Sequence, residues 1–158
     1  MITPREHCIG LISDTHGLLR PKAVEALHGS DLIIHAGDIG GADIIERLSG
    51  IAPVTAVRGN NDNGPWAATL NGVEILEVGD ALLYVVHDLA QLDVDPAAGG
   101  FHAVVSGHSH RPAIRERDGV LYVNPGSAGP RRFSLPVSVG SLVVAGASVR
   151  ARLVTLDV

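Results

Sequence analysis

Short apolar runs, each stopped by a polar residue able to bind a metal, constrain this chain most. Cys8 to Ser13 runs into Asp14-Thr15-His16, and Asp31 to Ala36 into Gly37-Asp38. Val54 to Arg58 leads to Gly59-Asn60-Asn61-Asp62, Ala81 to Val86 to His87, and Phe101 to Ser106 to Gly107-His108-Ser109-His110. Apolar runs of this length, bounded by turn residues, read as buried strands.

Between the first three runs, Pro21 to Leu27 and Ala42 to Leu48 read as helices. Pro21 falls in a first turn, where its missing N–H costs nothing. Ile44, Ile45 and Leu48 form an apolar stripe. Strand–helix alternation of this kind predicts parallel βαβ units. After Asp62 the rhythm turns antiparallel. Val73 to Val78 and Ala81 to Val86 flank Gly79-Asp80, and Ala113 to Arg117 and Val120 to Val123 flank Asp118-Gly119, both hairpin signals. Val137 to Val144 and Ser148 to Asp157 pair around Gly146, and a linker with Asp95-Pro96 and Gly99-Gly100 carries a short helix. The expected fold is α/β: two packed mixed β-sheets flanked by helices, an αββα sandwich forming a single domain over residues 1–158. A chain of 158 residues with 46% apolar and 18% charged residues can bury such a core.

The charge balance narrows the partners. Twelve Lys and Arg against 17 Asp and Glu give −5, without a basic run, which disfavours capture of nucleic acid by a basic face. Aromatic residues, at 3%, leave little for base stacking. Cys8 is the single cysteine and reads as a small buried core residue. Met1 to His7 lacks the apolar core of a leader, and no stretch nears the roughly 20 residues that span a bilayer. The expectation is a cytoplasmic protein without a membrane partner.

In open α/β sheets, ligands bind beyond the carboxyl ends of the strands. Asp14, Asp38, Asn60, His87 and His108 all follow such ends. With His16 and His110 they supply two aspartates, one asparagine and four histidines. Imidazole beside carboxylate suits Mn, Fe, Co, Ni and Zn better than calcium, and an aspartate can bridge two cations.

Asp-x-His, Gly-Asp, Gly-Asn-x-Asp, a histidine after a strand and Gly-His-x-His, in this order, resemble the calcineurin-like metallophosphoesterases. Asn124-Pro125-Gly126-Ser127 matches a loop of their small bacterial and archaeal phosphodiesterase branch. The resemblance implies two divalent transition metal ions, manganese foremost, with a bridging hydroxide attacking a small phosphodiester. It implies that Asp14, His16 and His110 hold the first ion, that Asn60, His87 and His108 hold the second, and that Asp38 bridges them. Small proteins of this branch often self-associate, so a homo-oligomer is also implied.

Two departures touch catalysis. Many relatives have a proton-donating histidine where this chain has Asn61, which cannot act as an acid. Asn61 and Asp62 are therefore the candidate catalytic positions: either Asp62 or solvent delivers the proton, or Asp62 orients the loop. His87-Asp88-Leu89 stands where the branch often reads His-Gly-His, so Asp88 either caps the following segment or binds water beside the metals. Outside the motifs, His7, His28 and His102 read as structural, and His35 as a buried residue behind the ligands. Arg58, Arg131 and Arg132 read as solvated side chains or phosphate contacts, and Trp66 as a packing anchor. Asn124 to Ser127 reads as a turn or a substrate-facing loop. A phosphomonoesterase, a nuclease and a non-catalytic protein-binding scaffold of the same fold remain the alternatives.

Overall fold

The computed structural model describes residues 5–158; Met1 to Pro4, part of the segment read as lacking a leader core, lie outside the described residues. Ten strands and two helices follow in chain order: β1 (Glu6–Ile12), α1 (Pro21–Leu27), β2 (Leu32–His35), α2 (Ala42–Ser49), β3 (Val54–Ala56), β4 (Val73–Val78), β5 (Ala81–Val86), β6 (Ala103–Val105), β7 (Ala113–Arg117), β8 (Val120–Asn124), β9 (Ser138–Ala145) and β10 (Ser148–Thr155). They form two five-stranded sheets, in the orders β10-β9-β1-β2-β3 and β4-β5-β6-β8-β7.

The core follows from strand alternation. Ile9 and Leu11 of β1 point inward, where they join Ile34, Leu142 and Val144 of the first sheet and Leu83, Val85, Ala103, Val105 and Val123 of the second. Ile12 points outward, with Ile33 and Val139, onto Ala23 and Leu27 of α1 and Ile44 and Leu48 of α2. Gly10 lies under that helix layer, and a Cβ there would come within 2.7 Å of both Leu27 and Ser30. The second sheet has no helix outside it among the described residues. Tyr84, Val86, Val104 and Val120 are covered instead by Leu92 and Phe101 of the loop after β5. The sandwich of two packed mixed sheets is thus as expected, with helices on one flank and a loop on the other. That loop's one regular turn is a 3-10 helix at Leu89–Gln91, ahead of the Pro and Gly residues of the expected linker.

Two readings need correction. Cys8 is exposed. It shares the outward face of β1 with Gly10 and Ile12, but the helix layer ends over Gly10, so the apolar run outlasts its cover. The second half of the chain is also not wholly antiparallel, because β6 lies between β5 and β8 and is parallel to both. Each sheet therefore contains three parallel strands: β1, β2 and β3 in one, and β5, β6 and β8 in the other. The loops after these strands meet at one end of the sandwich, and there the motifs gather.

Candidate metal centre

Asp14 follows β1, Asp38 follows β2, Asn60 follows β3, His87 follows β5, and His108 and His110 follow β6. Asp14 and Asp38 are buried, as are His87 and His110. Asp14 Oδ1 lies 3.8 Å from His16 Nε2, 3.3 Å from His110 Nε2 and 4.0 Å from His87 Nε2. Asp38 Oδ2 lies 3.7 Å from His16 Nε2 and 3.3 Å from His87 Nε2. Asn60 Oδ1 faces His87 Nε2 at 3.0 Å and His108 Nδ1 at 3.3 Å. The imidazoles form two pairs, His16 with His110 and His87 with His108, with ring centroids 5.5 and 5.2 Å apart. The structure thus brings all seven ligand positions of the sequence reading together.

Two overlapping groups have donor atoms mutually within 4.8 Å: Asp14, His16 and His110, and Asp14, Asp38 and His87. Asp14 belongs to both, and Asp38 reaches histidines on both sides. Asn60 and His108 complete the outer rim and are exposed.

Buried polar atoms are normally hydrogen-bonded. Here Asp14 Oδ1, His16 Nε2 and His110 Nδ1 are buried without a partner. Oxygen and imidazole nitrogen are donor atoms of a transition-metal site, so the residues fit the group that the resemblance implies.

The backbone supports the same conclusion. Asp14, His16, Asp38, His108 and His110 all adopt positive φ, between 46° and 70°. Such angles cost energy for residues other than glycine and cluster at functional sites. The remaining described non-glycine cases are Asp118, in its hairpin turn, and Phe133. Two glycines allow the close approach. A Cβ on Gly59 would collide with the backbone N and Oδ1 of Asp38, and one on Gly107 with Ser13 Oγ and, at 2.7 Å, Asp14 Oδ2.

A surrounding layer fixes the ligands. Ser13 Oγ–H and the His108 N–H donate to Asp14 Oδ2 at 2.6 and 3.1 Å, leaving Oδ1 to face the histidines. The Asn61 N–H and side-chain amide donate to the two oxygens of Asp38 at 2.9 and 3.1 Å. His87 Nδ1–H donates to Ala36 O at 2.7 Å, which turns Nε2 toward the site. Burial pushes the Asp38 carboxyl up, but His87, the Asn61 N–H and the His16 charge outweigh it and hold it well below the usual carboxylate range. Burial lowers the His87 pKa, but Asp38, the Ala36 carbonyl and Asp14 raise it further, to a net increase. His110 is lowered, chiefly by burial and then, against Asp14, by Arg132 and His16; an imidazole must be deprotonated to ligate.

The departures now have places. Asn61 holds Asp38. Asp62 is buried, and its carboxylate accepts the N–H groups of Ile39 at 2.9 Å, Gly40 at 3.1 Å and Gly59 at 2.9 Å. Both of its oxygens are engaged as acceptors, so the geometry gives it the loop-orienting role and not that of proton donor. Asp88 caps the Leu89–Gln91 turn by accepting the Ala90 N–H, and its other oxygen lies 3.7 Å from His108 Nε2. His35, fully buried, accepts the Gly37 N–H at Nδ1 and donates from Nε2 to Thr15 Oγ, whose hydroxyl donates to Ile39 O. It ties the first motif to the second and is not a ligand. Arg131 binds the Val158 carbonyl, Arg58 is exposed, and Trp66 packs on the helix-side core. Asn124 does more than turn the chain, because its amide donates to Gly107 O and Ser109 Oγ and so braces the last motif. In the same loop the Ser127 hydroxyl donates to Asp14 O, and the sequence reading missed Ser13, which carries no motif signal.

Known proteins share this plan. The family model for the calcineurin-like phosphoesterase superfamily domain matches residues 8–146. A protein of Methanothermobacter thermautotrophicus named "Probable metallophosphoesterase" is 36% identical, with 92% of this chain and 91% of that one covered. A phosphodiesterase of Methanocaldococcus jannaschii is 30% identical over 75% of this chain and 82% of its own. Vacuolar protein sorting 29 from Cryptosporidium parvum has the same fold, with a TM-score of 0.82 at 20% identity and coverage of 96% and 92%. Motif order, convergent ligands and these matches agree: the chain belongs to the calcineurin-like phosphoesterase superfamily.

Proposed function

We propose that this chain is a phosphodiesterase that acts on small diesters through two divalent transition metal ions, manganese foremost. The observation that carries this reading is the pair of partnerless buried donor atoms at the shared site, Asp14 Oδ1 and His16 Nε2, with His110 Nε2 beside Asp14 Oδ1 at 3.3 Å, where two ligand groups overlap. When bound, a metal pair supplies Lewis acidity at the phosphoryl oxygens and a hydroxide nucleophile near neutral pH.

The chain's own residues set the rest. Asp14 and Asp38 offset the cationic charge and face both histidine pairs. Ser13, Asn61 and the Ala36 carbonyl keep Asp14, Asp38 and His87 in the orientation that ligation needs. The exposed edge at Asn60 and His108 is where substrate enters. Neither candidate position supplies a carboxylic acid to a leaving group, since Asn61 cannot donate a carboxyl proton and Asp62 is committed to three backbone N–H groups. The proton then comes from solvent, and diesters with stabilised leaving groups are favoured.

A scaffold of the same fold has no need for five strained ligand residues or for partnerless buried polar atoms. Hydrolysis of bis(p-nitrophenyl) phosphate after chelator treatment and readdition of Mn, Ni, Co or Zn tests the proposal. Turnover that depends on the metal and disappears in Asp38→Ala and His108→Ala supports it; turnover equal to those variants sinks it.

A further inference from the structure

A second feature lies against the outer rim. A cleft of about 320 Å³ is lined by Asp88, Leu89, His108, Arg111, Arg115 and Tyr122, among others. It shares His108 with the metal centre, so it opens directly onto it.

The β7–β8 hairpin builds its floor. Arg115 pairs with Tyr122 and Ala113 with Asn124 across the two strands, and residues two apart on a strand share a face. Arg111 sits one residue beyond the ligand His110, and its N–H donates to Ser109 Oγ. Neither Arg111 nor Arg115 has a carboxylate within salt-bridge distance among the described residues, whereas Arg5, Arg117 and Arg150 do. The one carboxylate lining the cleft, Asp88, is turned to the Ala90 N–H and toward His108. Two uncommitted guanidiniums therefore line a cleft in a chain of net charge −5, with the ring of Tyr122 and the side chain of Leu89 as apolar surface.

We propose that this cleft receives one ester arm of the substrate, and that the arm carries a second phosphate held by Arg111 and Arg115. Guanidinium is the side chain best matched to phosphate, because it can donate two parallel hydrogen bonds. The carbon skeleton between the two phosphates lies on Leu89 and Tyr122. This assignment rests on the phosphodiesterase reading for the scissile phosphate, and it adds the class of substrate: a diester with a phosphorylated arm.

The test measures binding, so it does not depend on turnover. Calorimetry with the manganese-loaded protein compares thymidine 3′,5′-bisphosphate with thymidine 5′-phosphate. The bisphosphate should bind roughly 10-fold or more tightly, as a charge-assisted pair would give. In R111Q/R115Q, which alters exposed side chains only, that preference should fall to near unity while 5′-phosphate affinity stays within about 2-fold. A thymidine tetranucleotide separates the two sources of this chemistry. Affinity equal to the bisphosphate marks a small ligand and tighter binding marks a strand end, and either supports the second-phosphate site. No preference in the wild type, or a preference that survives in the double variant, overturns the assignment. Loss of bis(p-nitrophenyl) phosphate turnover with the preference intact would instead count against the phosphodiesterase reading alone.

Discussion

The role of Asp62 is the sharpest point on which residue type and geometry can be separated. Its carboxylate gathers three N–H groups, two from the loop that carries Asp38 and one from the loop that carries Asn60. Asp62→Ala removes all three. Hydrogen bonds to a charged acceptor contribute about 1.5–3 kcal/mol each, and non-additivity within one cluster brings the summed loss to about 3–6 kcal/mol. That is comparable to the whole stability of many domains. Asp62→Asn is the more useful variant. One amide oxygen can keep Ile39 and Gly40, but its NH₂ then faces the Gly59 N–H, and the loss is about 2 kcal/mol. Urea unfolding followed by circular dichroism reads the stability, and manganese titration reads the site. A series of aryl phosphodiesters reads the dependence on leaving group. The expected result is lower stability, weaker metal affinity and a rate that falls by the same factor for every leaving group. Unchanged stability, with a rate that falls selectively for poor leaving groups, would show that Asp62 donates the proton and that the bracing argument fails.

Three further outcomes follow from the same geometry. Gly59→Ala places a methyl group on the Asp38 backbone N and Oδ1; it should cost about 1–3 kcal/mol and abolish tight manganese binding in calorimetry. Burial, helped by the His87 charge, lowers the His35 pKa from 6.5 to about 3. The folded state therefore binds fewer protons than the unfolded one between these values. The associated stability is intact above pH 6.5 and is lost as the pH falls toward 3, at up to about 1.4 kcal/mol per pH unit. His35→Gln should be less stable at pH 7 yet lose less on acidification, so urea midpoints of the two proteins should converge between pH 7 and 4; parallel curves would contradict the assignment. Manganese at 100 times its dissociation constant should stabilise the wild type by about 2.7 kcal/mol per site, read as a raised melting temperature, and should leave Asp14→Ala unmoved.

Sequence alone exposes the strands and the ligands unusually well, for a physical reason. The central parallel strands β1, β2, β5 and β6 are largely buried, so they read as apolar runs, and the ligand candidates sit where those runs stop. Asp14, Asp38 and His87 are legible as strand-end residues before any contact is known. What sequence cannot carry is direction and cover. Cys8 extends an apolar run, but the helix layer that would bury it ends over Gly10. The parallel placement of β6 between β5 and β8 depends on which neighbours a strand finds after β7 folds back, and periodicity does not encode that. Asp62 reads as acid or brace until its oxygens are seen on three backbone N–H groups. Ser13 looks like an ordinary strand-end residue, and Asn124 like a turn or a substrate contact, until the site they brace is assembled. His35 is the instructive contrast with His87. Both end apolar runs, but one ring joins two loops from within the core and the other turns its Nε2 toward Asp14 and Asp38.

The left-handed backbone at Asp14, His16, Asp38, His108 and His110 has a consequence for the life of the protein in a cell. Each such residue stores about 1 kcal/mol or more, and the ligand loops hold it under tension. Coordination of ions at the site would offset that tension, so protein without them would have loops there that open at a lower free energy than the sheets behind them. Proteases act on locally opened chain, and degradation under fast exchange tracks the open population. Starvation for metal would then be registered first as a shorter half-life of this chain, with amide exchange quickening around Asp14, Asp38 and His108 before the sandwich itself loosens.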